Sequence, residues 1–479
     1  MEPLTWTGSL AFLNIPLSLA CLGLLAVFIL TFFVSAPAEG RNVLNADGSV
    51  SAAGPGLGGI LNAALTVLLG IVLLLLVIYV AAGAAMGTSA GILGGISQQL
   101  VPVWGTLIAL FTLSIVYKRR LGLYGKLFDS TVGMIGFGIV MFWVFVGIFG
   151  AMDLIVTHDS LSQVSGMKNK VPGTPLRGAE DGEFAWYLLG GDNLARDIFS
   201  RVVKGAWVVV QIAPLATLFA FMVGITLGLP AGYYGGSLDV FLSFLANLIL
   251  AFPVILLFYL LVTPEIVLTG LPQYMAAVLF FFPIIFVGVL IHSRFRTQPS
   301  KNMMYLAIVL IPLVLLYTSA VGAPDSKITL PGIIDWFDIA PGILVVFVSV
   351  VFVNSPTVFR IVRGLALDIK TRDYVAAAQT RGERPWYIML WEILPNARGP
   401  LIVDFCLRIG YTTILLGTLG FFGLGLPPES PDWGSTINEG RKLLSIYMHP
   451  ALPPAFALLT LVLGLNLLAD GLREESLRD

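Results

Sequence analysis

Charged residues are scarce in this chain. Only 11% of its 479 residues are charged, 57% are hydrophobic, and the mean hydropathy is +0.91. A soluble domain has about 25% charged residues, so this chain has too little charge to cover a globular surface in water. Much of the surface must therefore face lipid, which predicts an all-α, polytopic membrane protein.

Cysteine and histidine are scarce as well. Cys21 and Cys406 are the only cysteines, and both lie in apolar runs, which argues against a disulfide framework or a cysteine metal site. His158, His292 and His449 are scattered among loops. The sequence has no His-Glu-x-x-His motif, no serine nucleophile elbow and no Gly-x-x-x-x-Gly-Lys-Ser/Thr loop. We therefore expect no catalytic residue, no metal and no cofactor on this chain, and any ATP must bind a partner subunit.

Long apolar runs are what the sequence has in abundance. A helix of about 20 apolar residues crosses the roughly 30 Å hydrocarbon core of a bilayer. By this measure eleven spans are predicted. Their approximate ranges are 10–34, 58–82, 101–117, 132–154, 207–231, 240–262, 275–291, 303–316, 339–359, 400–424 and 451–468.

Basic residues in short loops predict the orientation of these spans. Lysine and arginine are retained on the cytoplasmic side, and such residues cluster at 118–126, 292–301 and 360–384. Alternate crossings make the three assignments mutually consistent. They place the C-terminus in the cytoplasm and the N-terminus outside.

Residues 373–382 predict a short cytoplasmic helix with a docking face. Asp373 can cap the helix by accepting backbone N–H bonds, and the alanines at 376–378 favour a helix and leave a flat surface of small side chains. Gly382 suits the left-handed residue that ends a helix. Such a face fits a cleft on another protein, although an ordinary amphipathic loop helix is the alternative.

A second short helix is expected to follow. Pro385 can occupy its first turn, where the missing N–H costs nothing, and Pro395 marks a stop or kink near the membrane. Two short helices would then project from the bilayer on the cytoplasmic side.

The spacing of this segment resembles the EAA loop of binding-protein-dependent ABC importer permeases. The family pattern is Glu-Ala-Ala, three residues, Gly, and about ten residues to a Leu-Pro, with Ala376 here in place of the glutamate. In that family the loop is a coupling helix that lies in a groove of the ATPase subunit. The resemblance implies a coupling segment that contains Asp373, Tyr374, Ala376, Ala377, Ala378, Gly382, Glu383, Leu394 and Pro395.

Residues 191–201 resemble the Gly-Thr-Asp-x-x-Gly-Arg-Asp-x-x-Ser-Arg signature of the dipeptide/oligopeptide/nickel subgroup of these permeases. The alternating charges of this outer segment suggest local ion pairs that fix an interfacial helix, and exposed pairs contribute about 0–1 kcal/mol each. A solvated loop is the alternative, and it is the preferred interpretation when the residues are taken alone. The signature residues are Asp192, Arg196, Asp197, Ser200 and Arg201.

Two further segments, 420–434 and 466–473, resemble the ends of the last two spans of the same subgroup. Gly417 stands where members often carry a glutamate near the translocation path. Asp404 and Arg408 lie four residues apart near the start of span ten, so they can pair on one helix face. A structural ion pair near the inner interface is the preferred interpretation, and a pathway lining or gate is the alternative.

Together the four resemblances cover about residues 190–262 and 340–479. They imply the second-permease (C-type) subunit of an importer in the bacterial inner membrane, with a six-helix type I permease core. The predicted regions are an N-terminal three-span extension at 1–120, the core at 121–479, an extracytoplasmic loop at 153–205, a two-span insertion at 263–339 and a cytoplasmic coupling segment at 360–398.

The resemblance also implies the partners: a second, related permease, two ATPase subunits and an extracytoplasmic solute-binding protein, with no nucleic acid. Di- or oligopeptides are the leading substrates, while nickel chelates, glutathione and peptide-like antibiotics stay open. An ion- or proton-coupled secondary transporter of a small solute is the alternative class, but it usually shows two repeated halves with paired helix breaks, and no such repeat is visible.

Overall fold

The computed structural model describes residues 2–33, 42–44, 50–52, 57–176, 184–321, 341–424 and 430–476. Within these ranges ten helices are long and apolar enough to cross a membrane, or eleven if one sharply bent pair is a single span. The predicted all-α, polytopic fold is therefore confirmed. Residues 322–340, in the predicted two-span insertion and the start of the next span, and residues 425–429, in the 420–434 motif, lie outside the described residues.

The structure describes twenty α-helices. They are α1 (Asn14–Phe33), α2 (Leu57–Met86), α3 (Gly91–Gln99), α4 (Val101–Tyr117), α5 (Gly122–Lys126), α6 (Thr131–Ala151), α7 (Ile198–Tyr234), α8 (Gly236–Leu250), α9 (Val254–Val262), α10 (Pro264–Leu268), α11 (Leu271–Leu279), α12 (Phe281–Phe295), α13 (Pro299–Val321), α14 (Pro341–Ile369), α15 (Asp373–Thr380), α16 (Pro385–Tyr387), α17 (Leu394–Asn396), α18 (Arg398–Phe421), α19 (Trp433–Arg441) and α20 (Leu452–Ser476).

Short 3₁₀ turns and two small hairpins complete the described elements. The 3₁₀ turns are Gly8–Leu13, Gly87–Ala90, Lys118–Arg120 and Leu127–Asp129. The antiparallel strand pairs are β1 (Asn42–Leu44) with β2 (Val50–Ala52), and β3 (Thr174–Pro175) with β4 (Trp186–Tyr187).

The sixth predicted span, 240–262, is not one straight helix. It consists of Gly236–Leu250 and Val254–Val262, which are bent by 80° relative to each other. Pro253 lies at the break, and its missing N–H and fixed φ prevent the first helix from continuing. The hydropathy of the run is preserved across the break, which is why sequence alone predicted a single helix.

The bent pair nevertheless crosses the bundle once. Tyr233 at the end of α7 accepts a hydrogen bond from Gln379 at 3.2 Å, and Ser293 near the end of α12 accepts one from Trp391 at 3.0 Å. Both helix ends therefore lie at the end of the bundle that carries the 373–396 segment, which the basic loops predict to be the cytoplasmic, or inner, end; the opposite end is then the outer end. Because the apolar helix Leu271–Phe295 crosses between them, the bent pair must supply the other crossing.

Glycines bring the two central helices into close contact. Gly224, Gly228 and Gly232 lie one turn apart on α7 and face α14. A Cβ at Gly228 would lie 2.9 Å from Cβ of Val362 and 3.0 Å from the carbonyl oxygen of Phe359. Small residues at this spacing allow helices in lipid to pack backbone against backbone, where no hydrophobic effect drives association.

A second glycine contact joins the first and last helices of the core. A Cβ at Gly136 of α6 would lie 2.3 Å from the backbone nitrogen of Leu468 in α20, and one at Gly471 would lie 2.4 Å from Cα of Gly133. The helices α6, α7, α14, α18 and α20 thus form one closely packed bundle around which the other helices are arranged.

The N-terminal region divides into two parts. The apolar windows of α1 and α2 are each only 6% buried, so these helices face lipid over most of their surface. By contrast, α4 packs on α6, with the rings of Trp104 and Phe142 5.3 Å apart. The division at residue 120 stays a prediction, but the packing of α4 favours a boundary nearer residue 100.

The N-terminus lies at the end of the bundle opposite the 373–396 segment. The backbone nitrogen of Leu4 donates to the carbonyl of Gly173 at 2.9 Å, and the indole of Trp186 donates to the carbonyl of Glu2 at 3.3 Å. The first residues are thus attached to the 153–205 region. This is the relative placement that the basic loops predicted.

The substitution Gly228→Leu should destabilise the bundle. The added side chain must displace α14, and overpacking of this kind costs about 1–3 kcal/mol. Gly364→Leu is the matched control, because a Cβ there has no atom within 4 Å. Thermal unfolding of the purified protein in detergent should show a lower melting temperature for Gly228→Leu alone. Equal melting temperatures for the two variants would contradict the role of the glycine contact.

Candidate functional site

The 373–396 segment begins with the predicted helix, but its cap differs from the prediction. Arg372 has extended backbone angles and precedes the first helical turn, and Asp373 is the first residue of α15. A side chain in the helix is one position too late to act as the N-cap, so the capping role predicted for Asp373 is wrong. Its carboxylate contributes only a negative charge near the helix N-terminus, where it is favourable.

Two of the three alanines of α15 face outward. Ala376 and Ala377 are exposed, whereas Ala378 is completely buried together with Val375. Residues three apart share one face of a helix, so Val375 and Ala378 point to the core. The exposed surface consists of Ala376, Ala377 and the 38% exposed Tyr374, and the predicted face of three alanines is corrected to two.

Gly382 ends the helix in the predicted left-handed conformation. Its φ is +76°, its nitrogen donates to the carbonyl of Gln379 at 2.9 Å, and the nitrogen of Glu383 donates to the carbonyl of Ala378 at 3.2 Å. This is the hydrogen-bond pattern of a glycine C-cap. The prediction for Gly382 is therefore confirmed.

The second helix begins at Pro385, also as predicted, and then widens. Residues Ile388–Ile393 form a π-helix, which runs into Leu394 and Pro395, and the helix breaks only at Ala397. Pro395 lacks the N–H that would bond to the carbonyl four residues earlier, so the preceding turn is free to open. The helix is therefore widened before Pro395, and Pro395 does not end it.

Polar contacts fasten this segment to the membrane helices. The Lys370 ammonium donates to the carbonyl of Gly232 at 2.8 Å, next to the contact of Gln379 with Tyr233. Arg381 and Glu392 join the two short helices at 2.9 Å. Gln379 and Lys370 thus attach this segment and the residue run before it to the end of α7.

At the opposite end of the bundle, the signature residues are buried rather than solvated. Asp192 and Arg196 are 2% and 4% exposed, and Asp197, Ser200 and Arg201 are 0% exposed. The expected solvated loop with exposed ion pairs is therefore wrong. Buried charges are retained only where they are paired and hydrogen-bonded.

Each buried charge in this loop has partners. The Arg196 guanidinium bonds the Asp192 carboxylate at 2.7 Å and also pairs with Glu439 of α19. Asp197 is the N-cap of α7, accepting from the nitrogen of Ser200 at 3.0 Å and the hydroxyl of Thr157 at 2.8 Å. The loop thus both starts α7 and holds it to the segment after α18.

Arg201 and Trp433 extend this outer network. The Arg201 guanidinium donates to the hydroxyl of Thr436 at 3.1 Å, and the Trp433 indole donates to the carbonyl of Val202 at 2.9 Å. Asp432 caps α19 by accepting from the nitrogen of Ser435 at 2.9 Å, and its burial raises the pKa of its carboxyl above the ordinary value. The network closes the outer end of the bundle.

Between the two ends lies a polar cluster that sequence reasoning missed. Asn354 of α14 donates to the hydroxyl of Thr412 of α18 at 3.2 Å, and that hydroxyl lies 3.4 Å from the hydroxyl of Thr217 of α7. All three residues are buried. The signal was an asparagine inside the predicted span 339–359, and such polar groups in a span favour a functional or interhelical role.

The predicted pathway residues lie on α18. Asp404 and Arg408 form the predicted i, i+4 ion pair at 2.7 Å, with side chains 18% and 9% exposed. Gly417 packs against α20, where a Cβ would lie 2.4 Å from a methyl of Leu458. A role of these residues in a pathway or gate stays a prediction.

Known proteins resemble this chain over the same region. The family model described as "Binding-protein-dependent transport system inner membrane component" matches residues 224–474. The glutathione transport system permease protein GsiD of Pectobacterium atrosepticum is 29% identical over 61% of this chain and 73% of its own length. The dipeptide transport system permease protein DppC is 25% identical in Alkalihalophilus pseudofirmus, over 73% of this chain and 87% of the relative. In Haemophilus influenzae it is 28% identical, over 60% and 72%.

The substitution Asp197→Ala should loosen the outer end of α7. It removes the N-cap, worth about 0.5–2 kcal/mol, and leaves buried donors without an acceptor. Asp159→Ala is a suitable control, because Asp159 is an exposed aspartate in the same region that accepts only a local bond from Leu161. Thermal unfolding in detergent should show a lower melting temperature for Asp197→Ala alone. Indistinguishable melting temperatures would show that the buried network is dispensable.

Proposed function

The chain belongs to the family of binding-protein-dependent transport system inner membrane components, and we propose that it is a permease subunit of an ATP-driven importer of peptides. Family membership makes it a multi-pass transport protein rather than an enzyme. It also decides against the ion- or proton-coupled secondary transporter. The observation that carries the proposal is the 373–396 segment, which projects from the bundle with a small exposed face.

Peptides are proposed as the cargo because of the relatives. Those named above are permeases of glutathione and dipeptide transport systems, and both solutes are small peptides. Nickel chelates and peptide-like antibiotics are the competing cargoes, which uptake measurements would distinguish.

The proposed partners follow from the two ends of the bundle. At the inner end, the exposed residues of α15 would dock into a groove of an ATPase subunit, and ATP would bind there and not on this chain. A second permease, a second ATPase and an extracytoplasmic solute-binding protein would complete the importer, with the C-terminus of this chain in the cytoplasm.

The contacts of α7 support a route from ATP to the transport path. Closure of the ATPase pair would displace α15, which is bonded to the end of α7 through Gln379, while Lys370, between α14 and α15, bonds the same end of α7. Because α7 and α14 are in close glycine contact, they would move as one body, which is how domains usually rearrange around a site. At the outer end, opening would separate Arg196 from Glu439. Asp404, Arg408 and Gly417 are proposed to face the path on α18.

Gly382→Val is expected to uncouple ATP hydrolysis from transport. A Cβ at Gly382 has no atom within 4 Å, so the effect of the substitution comes from the backbone and not from a clash. A β-branched residue at a φ of +76° costs about 1–2 kcal/mol. This strain favours a different backbone conformation after α15. Gly382→Asn is the control, because asparagine tolerates the left-handed region. Peptide uptake and ATPase activity are measured on the complete importer in proteoliposomes. Normal uptake by Gly382→Val would refute the coupling role.

Ala377→Trp should prevent docking without unfolding the permease. Ala377 is exposed on α15, so a large side chain is accommodated in the free subunit but fills the proposed interface. Ala151→Trp is the control, since Ala151 is exposed at the opposite end of the bundle. After affinity purification of each tagged variant, the ATPase subunits should be lost only with Ala377→Trp. Their retention by a variant of unchanged melting temperature would place the docking surface elsewhere.

A further inference from the structure

A cavity lies at the inner end of the bundle, outside the exposed face of α15. Its volume is about 700 Å³, and it is lined by the α12–α13 turn on one side and by residues Gly382–Tyr387 on the other. The wall from α12 and α13 belongs to the predicted two-span insertion, which lies outside the six-helix core that the resemblance implies.

The cavity is basic. Arg294, Arg296 and Arg384 line it together with a single carboxylate, that of Glu383. Among the residues that the structure describes, none of the three guanidinium groups has an ion-pair partner. Arg294 lies over the ring of Trp391, 4.9 Å from its centroid, which fixes its position and leaves its N–H groups available. Guanidinium groups are well suited to bind phosphate oxygens through paired hydrogen bonds.

The cavity also has an apolar side. Val289, Leu306 and Trp386 contribute to its lining, and a narrow, mostly apolar cleft between α7 and α12 shares Val289 and Trp386 with it. A ligand that fits this lining has a phosphate group and an apolar portion.

The position of the cavity favours a lipid over a soluble ligand. The apolar window of α13 is 0% buried, so this helix faces lipid, and Arg296 directly follows the last residue of the apolar helix α12. The basic groups therefore lie where the hydrocarbon region ends and the headgroups begin. Basic pockets between helices on the cytoplasmic side are typical sites for anionic lipid headgroups.

We propose that this cavity binds the phosphate headgroup of an anionic phospholipid. The bound lipid would lie between the insertion and the segment that follows α15, and would hold them together at the inner face of the membrane. Lipid binding itself does not depend on which solute the importer carries, nor on whether α15 docks to an ATPase.

The test uses the complete, delipidated importer in detergent. Phosphatidylglycerol or the zwitterionic phosphatidylcholine is added, and bound lipid is counted by native mass spectrometry. Wild type should retain phosphatidylglycerol in preference to phosphatidylcholine. The double variant Arg296→Gln/Arg384→Gln should bind it about thirtyfold more weakly, since each basic residue near an anionic surface contributes about 1 kcal/mol.

Two controls keep the test specific. Arg119→Gln/Arg120→Gln removes the same charge from exposed residues of another inner loop that do not line the cavity, and should leave the preference intact. The single variant Arg296→Gln leaves the 373–396 segment unaltered, and should weaken binding by a smaller factor at an unchanged melting temperature. Equal loss in the Arg119/Arg120 variant, or none in the Arg296/Arg384 variant, would overturn the proposal.

Inorganic phosphate distinguishes the two sources of a phosphate group. Without acyl chains it should fail to displace phosphatidylglycerol at an equal concentration. Displacement at that concentration would assign the cavity to a soluble phosphate anion and overturn the lipid proposal. The lipid proposal would also be overturned if the wild-type permease bound phosphatidylglycerol only after the ATPase subunits were removed. That result would show that an ATPase subunit fills the cavity in the complete importer.

Discussion

The close contact between α7 and α14 is the constraint on which the rest of the structure depends. In lipid, helices gain nothing by burying apolar side chains against one another, so their association relies on van der Waals contact and hydrogen bonds. Gly224, Gly228 and Gly232 allow that contact along two turns of α7. Because the 37 residues of α7 span about 55 Å, the same helix reaches from the buried Asp197 cap to the Gln379 contact. It therefore connects the two ends of the molecule mechanically.

The outer end illustrates what sequence can and cannot reveal. The signature residues were identified from their spacing, but their burial was not, because a charge is recognised as buried only when its partners are known. Arg196 pairs with Glu439, and Arg201 bonds Thr436, and both partners are more than 230 residues away. A prediction from the local sequence pattern therefore takes such charges to be solvated. Hydropathy could predict the spans, because the apolarity of each span depends only on its own residues.

The inner end was predicted more fully, because its geometry is mostly local. Gly382 ends a helix for a reason intrinsic to glycine, and Pro385 begins one for a reason intrinsic to proline. Three details there differed from the prediction: the cap lies one residue earlier than Asp373, Ala378 follows Val375 into the core, and the helix continues past Pro395. What sequence could not supply was the side of α15 that faces the bundle. That choice depends on the buried residues of the second short helix, Ile388, Met389 and Ile393, packing against it.

The predicted two-span insertion is compatible with this architecture. An even number of crossings between α9 and α14 would return the chain to the same side of the membrane, so α14 and the 373–396 segment would keep their orientation. The insertion is nevertheless not a passive addition, because Ser293 and Arg294 of α12 both contact Trp391 in the segment. These contacts join α12 to the helix that packs against the buried face of α15. Without α12 the 373–396 segment would lose both contacts, and the basic cavity would lose one of its walls.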